Sequence, residues 1–160
     1  MLTLAFSAKV AASPRRIWRV LMEPAASAHW LPGHQQWIDP PPLAFSPSMP
    51  LRFRSRLRGI HRRGELQLVE CRPGRARVRI RLGLLAFDVR FTLGPEPGVP
   101  GAARIGFLLS LGNEVAIVGG SLDRFEARKL ASTLAEQTLS ALAAYAEERE
   151  RCARLALSGA

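Results

Sequence analysis

The 160-residue sequence predicts one α+β domain in which a curved, seven-stranded antiparallel sheet wraps around a long C-terminal helix, with two short helices after strand 1. Three observations carry that prediction. Between Leu51 and Leu111 apolar residues recur at every second position, the period of strands with one buried and one wet face. The connections between those runs are too short for crossover helices, so neighbouring strands must run antiparallel. After Gly119-Gly120 the apolar period changes to that of a helix and holds to the charged end of the chain.

Leu2, Leu4, Phe6, Ala8 and Val10 alternate with Thr3, Ala5, Ser7 and Lys9, a half-buried first strand. Ser13-Pro14 reads as an N-cap followed by proline at the first helical position, and Ile17, Trp18 and Leu21 supply a short apolar face. Pro24 pushes Glu23 out of helical geometry, which limits this helix to about two turns. A second brief helix, Ala25 to Leu31, stops at Pro32-Gly33, and the prolines at 40 to 42 allow a strand only on either side of them. Leu51, Phe53, Ser55 and Leu57 alternate with Arg52, Arg54, Arg56 and Arg58, whereas Glu65 to Cys71 is a weaker strand and Arg72-Pro73-Gly74-Arg75 a turn. Ala76, Val78, Ile80 and Leu82 then alternate with Arg75, Arg77, Arg79 and Arg81. Leu85 to Leu93 forms another alternating strand, and a loop from Gly94 to Gly101 leads to Ile105, Phe107, Leu109 and Leu111. On the last helix Ala127, Leu130, Ala131, Leu134, Thr138, Ala141, Leu142 and Tyr145 form one stripe, Leu122 and Phe125 fall off it, and Glu147 to Arg151 reads as a solvated end.

Composition sets the class. Apolar residues make up 48% and charged residues 22%, which excludes a disordered or fibrous chain. No apolar run approaches the ~20 residues of a membrane-spanning helix, and the N-terminus lacks the basic-then-apolar order of a signal peptide. Cys71 and Cys152 are far apart with no CxxC, which suits a reducing, cytoplasmic setting. The formal charge of +10 is concentrated: Leu51 to Thr92 holds twelve arginines against Glu65, Glu70 and Asp88. Ser121 to Leu157 balances to zero.

A sheet with one apolar face must cover it, and the terminal helix is the only large element available. One helix about 10 Å across is too narrow to fill a seven-stranded trough. Space is therefore expected between them, lined by Phe53, Phe87, Phe91 and Phe107 from strands and by Leu134 and Tyr145 from the helix.

At Ala12-Ser13-Pro14-Arg15-Arg16-Ile17-Trp18-Arg19-Val20-Leu21, at Trp30 and Pro32, and in the final helix, the chain resembles the START-like (SRPBCC) superfamily of helix-grip proteins, which includes Bet v 1-like and polyketide-cyclase-like families. The glycine pair before the last helix is similar to the branch related to the carbon monoxide dehydrogenase G subunit. The resemblance implies a helix-grip fold over nearly the whole chain, with a cavity. Superfamily members are often carriers or sensors of apolar small molecules, and some are cyclases, hydrolases or lipid-transfer proteins. Trp30 joins the candidate lining on this basis.

Chemistry-bearing residues are few. His29, His34 and His61 lack metal-ligand spacing and read as surface or loop histidines. Ser121 after two glycines reads as an N-cap rather than a nucleophile, and no histidine stands beside Cys71 in sequence to activate it. Gly119-Gly120 lacks the rest of a phosphate-binding fingerprint, and no cofactor is implied. Glu70 shares parity with Leu66 and Leu68, so it faces the cavity as a ligand-orienting or acid-base group unless a bulge turns it to an arginine at the rim. Arg52, Arg54, Arg56, Arg75, Arg77, Arg79 and Arg81 fall on the outer face in rows separated by one strand. They either wet that face or contact a polyanion, nucleic acid or an anionic membrane. The expected function is binding of an apolar or amphipathic small molecule, lipid-like or polycyclic, in the cavity. A polyanion-binding module is the alternative and a cyclase- or hydrolase-like enzyme the third.

Overall fold

The computed structural model describes residues 2–47, 49–83, 85–111 and 124–159, with the backbone alone for Leu2 and residues 124–127. Ser121, Leu122, the glycine pair 119–120, and the side chains of Phe125 and Ala127, all read above, lie outside the described residues. The elements are β1 (Leu2–Val10), α1 (Pro14–Met22), a 3₁₀ turn (Pro24–Ala26), α2 (Ser27–Trp30), β2 (His34–Trp37), β3 (Leu51–Leu57), β4 (Ile60–Arg72), β5 (Arg75–Leu82), β6 (Leu85–Pro95), β7 (Ala103–Leu111) and α3 (Arg124–Ser158). All seven strands form one antiparallel sheet in the order β1-β7-β6-β5-β4-β3-β2.

Local chemistry accounts for the boundaries. The Ser13 hydroxyl accepts the Arg16 N–H at 3.2 Å, which caps α1, and Pro14 occupies the first helical position. Arg58 and Gly59, both with positive φ (50° and 76°), close β3 onto β4 in the tight turn that matches strand twist. That turn lets β4 begin at Ile60, five residues before the predicted Glu65; the added residues His61-Arg62-Arg63-Gly64 show no apolar alternation of their own. Gly74, φ 74°, follows Pro73 in the β4–β5 turn and supplies the left-handed position such a turn needs.

α3 lies across the inner face, against β1, β7, α1 and α2. Its buried residues are Ala131, Leu134, Ala135, Thr138, Leu139, Leu142 and Ala146, a stripe one position wider than the predicted one, which contains Ala131, Leu134, Thr138 and Leu142. Of the end expected to be solvated, Glu148, Arg149 and Arg151 are exposed, whereas Glu147 and Glu150 form a clamp. Glu147 Oε1 accepts the Ala11 N–H at 3.0 Å. Glu150 accepts the Ser13 N–H at 3.3 Å and the Arg16 Nε–H at 3.1 Å. No described helix is long and apolar enough to cross a membrane.

Candidate functional site

The inner faces of β5, β6 and β7 meet α2 and α3 around a small apolar void. Ile80 and Leu82 come from β5, Phe87, Val89 and Phe91 from β6, and Phe107 and Leu109 from β7. Leu134, Ala135 and Thr138 project from α3, with Trp30 and Pro32 at the α2 end. Alternation places the strand residues here, since each points inward two positions from the next. The aromatic rings brace one another edge to face, Phe91 on Phe107 at 5.1 Å and Trp30 on Phe91 at 6.4 Å.

Of the predicted lining, Trp30, Phe87, Phe91, Phe107 and Leu134 meet at this void. Phe53 is wholly buried elsewhere, its ring over Gly64 and beside His34 and Trp37. Tyr145 stacks on His29 of α2 at 4.2 Å and 7°, bridging α2 and α3 nearer the surface. Glu70 does not face the interior. The β4–β5 register slips between Leu68 and Glu70, which turns Glu70 outward, where it is exposed and pairs with Arg72 at 3.2 Å.

The void is about 30 Å³, far smaller than the space expected from the width of one helix. Side chains of intermediate length from both layers meet across the trough, and the strand residues around it are at most 8% exposed. Two of the residues lining it, Trp30 and Thr138, carry a polar group. The Trp30 indole Nε1–H is buried without a hydrogen-bond partner. The Thr138 hydroxyl donates to the Leu134 carbonyl at 2.7 Å, leaving its oxygen able to accept. None of the described residues lining the void is titratable.

A second polar group of residues sits toward β2 and β3. His34 and Ser55 are register partners there, and neither His34 nitrogen nor the Ser55 hydroxyl has a partner; the Ser27 hydroxyl of α2 is likewise buried and unpaired. Burial pushes the His34 pKa below its ordinary value. Ser55 was legible as the polar residue on the apolar side of β3. His34, read as a loop histidine, lies on a strand with ring nitrogens shielded from water.

The predicted arginine rows do occupy the outer face, with β4 between β3 and β5. Two of their members are already neutralised. Asp39 holds Arg52 through both carboxylate oxygens (3.1 and 2.8 Å), and the Arg52 side chain and backbone N–H together hold Asp39 at about 2. Asp88 takes Arg77 in the same two-pronged way, at 3.0 and 2.7 Å. Arg54, Arg56, Arg75, Arg79 and Arg81 have no ion-pair partner among the described residues. Among those residues no group of three His, Cys, Asp or Glu lies close enough to hold a metal ion.

No protein-family model matches the chain, and neither does any curated protein. Solved structures do. A START superfamily protein from Mycobacterium smegmatis superposes with TM-score 0.69 and 17% identity, covering 93% of this chain and 97% of that one. The structure of Ara h 8.0201 gives 0.64 and 10%, covering 91% of this chain and 97% of that one. The di-domain aromatase/cyclase BexL of the BE-7585A biosynthetic pathway gives 0.62 and 20%, covering 93% of this chain and 50% of that one, so this chain spans half its length. At these identities the likeness is one of fold, and the fold is helix-grip.

Proposed function

We propose that this chain binds an apolar or amphipathic small molecule between α3 and the inner face of the sheet. The observation that carries the reading is the void itself: an apolar, aromatic-walled space lined in part by Trp30, whose buried indole Nε1–H has no hydrogen-bond partner among the described residues. An unpaired buried donor costs about 1–3 kcal/mol, which a ligand acceptor placed there would recover. The expected ligand is therefore an apolar body with one acceptor, seated beside Trp30 and Thr138. The START protein and the aromatase/cyclase with the same fold support binding in this interior. None of the described lining residues is titratable, and the reading is one of binding.

A void of about 30 Å³ holds one water, whereas small-molecule pockets run to about 300 Å³ and more. Binding thus requires the layers to part.

The test is organic extraction of the purified protein with mass spectrometry, alongside thermal melts with long-chain and polycyclic probes. A ligand at 100 times its Kd raises stability by about 2.7 kcal/mol. Ala135→Val, which narrows the void by two methyl groups, should diminish that rise, with circular dichroism showing that the variant is folded. An empty extract together with no probe-dependent stabilisation overturns the reading.

A further inference from the structure

The outer face carries a second concavity, and its chemistry is opposite to that of the interior. It is a basin of about 570 Å³ lined by Ala5, Thr92 and Gly106 and by Arg72, Arg75, Arg77 and Arg90, with one carboxylate, Glu70, which is paired to Arg72. A neighbouring depression of about 410 Å³ shares Arg75, Thr92 and Gly106 and prolongs it toward Arg104. The hollow lies where three outward residues, Ala5 of β1, Thr92 of β6 and Gly106 of β7, are small. At Gly106 even a Cβ would lie 2.4 Å from the Thr92 hydroxyl oxygen.

The register sets like charges against one another. Arg77 of β5 lies directly opposite Arg90 of β6, and Arg72 of β4 directly opposite Arg75 of β5. Facing positions on antiparallel strands are about 4.5–5.5 Å apart at Cα, and like charges there are destabilising. The two pairs are neighbours, since Arg75 and Arg77 stand two residues apart on one strand, about 6.7 Å. Internal acids relieve one member of each pair: Asp88 binds Arg77 and Glu70 binds Arg72. Arg75 and Arg90 are left without an ion-pair partner among the described residues.

We propose that this basin is a binding site for an organic polyphosphate, a small molecule carrying two or more adjacent phosphate groups. Guanidinium forks grip phosphate oxygens in pairs, and arginines spaced by one strand and by one residue repeat suit phosphates in a row. The Thr92 hydroxyl adds a donor. Concavity argues against a flat bilayer, because a planar surface would not reach into it and Leu108 is the one large apolar side chain facing out at the basin. Phe6, Phe91 and Phe107 line the basin too, but Phe91 and Phe107 are buried, Phe6 is half-buried, and the rings pack on one another, so nucleic-acid bases have no exposed platform on which to stack.

Calorimetric titration with inorganic tripolyphosphate tests the site. The parent protein binds it. Arg75→Gln/Arg90→Gln weakens binding by about tenfold or more, because each arginine is one charged hydrogen-bonding partner. Ala5→Trp, which fills the basin without changing charge, weakens it too. Arg54→Gln/Arg63→Gln removes the same charge from another facing pair, outside the basin, and leaves affinity unchanged. Two further arms identify the source: soluble inositol trisphosphate bound alone marks a free ligand, and phosphatidylcholine vesicles with phosphatidylinositol bisphosphate, bound with the same dependence on Arg75 and Arg90, mark a lipid headgroup. No binding of tripolyphosphate, equal weakening in both arginine variants, or equal binding to phosphatidylserine vesicles or duplex DNA overturns the proposal.

Discussion

Gly64 supports the ring of Phe53, and a methyl group at that position would lie 2.3 Å from Phe53 Cζ. Phe53 is fully buried and has no room to retreat. Gly64→Ala should therefore destabilise the fold by about 1–3 kcal/mol in chemical denaturation, the usual cost of overpacking. Ser55, on the same strand, predicts the opposite sign. Its buried hydroxyl has no partner, so Ser55→Ala should be neutral or stabilise by up to about 1 kcal/mol. His34 makes stability depend on pH. Burial lowers its folded pKa below the ordinary 6.5, so the unfolded chain binds the extra proton first. Stability should fall as pH drops below about 6.5 and level off once the folded pKa is passed, and His34→Gln should flatten that segment of the curve. Ser55 was readable from alternation; His34 was not, because the four residues of β2 run half-buried, exposed, exposed, half-buried, with no period to follow.

Elements were legible where one face is apolar and unreadable where a single residue changes the count. The alternation on β5, β6 and β7 survives intact into the structure, as does the Ser13-Pro14 start of α1. Glu70 is the counterexample. The irregularity after Leu68 reverses inward and outward for the rest of β4, and no glycine or proline between Leu68 and Glu70 announces it. The acidic end of α3 misled for another reason: its partners, Ala11, Ser13 and Arg16, are more than 130 residues away in sequence. Desolvation pushes the Glu150 pKa up, but Arg16, the Ser13 amide and Arg154 outweigh it and bring it below the ordinary value. Glu150→Gln should cost about 1–3 kcal/mol, since a charged hydrogen bond between α3 and α1 is lost. The parent's advantage over that variant should be present above pH 4.5 and vanish as pH falls through the lowered pKa.

For the whole molecule, strand periods and short connections were enough to place a sheet around a terminal helix, because only one arrangement buries both apolar faces. The volume left between them was not legible. It depends on how side chains of both layers interdigitate, and here the described residues between β5–β7 and the helices leave a void of about 30 Å³. The two faces of one sheet therefore carry opposite chemistries, an apolar interior that must open to bind and an arginine-walled basin that is already open. Methyl-labelled NMR spectra recorded during titration with an apolar ligand distinguish them directly. The interior reading predicts shifts and ligand contacts at the methyls of Ile80, Leu82, Val89, Leu109 and Leu134, with outward-facing Leu108 unmoved. Shifts confined to Leu108 and its surroundings, or none at saturating ligand, would contradict it.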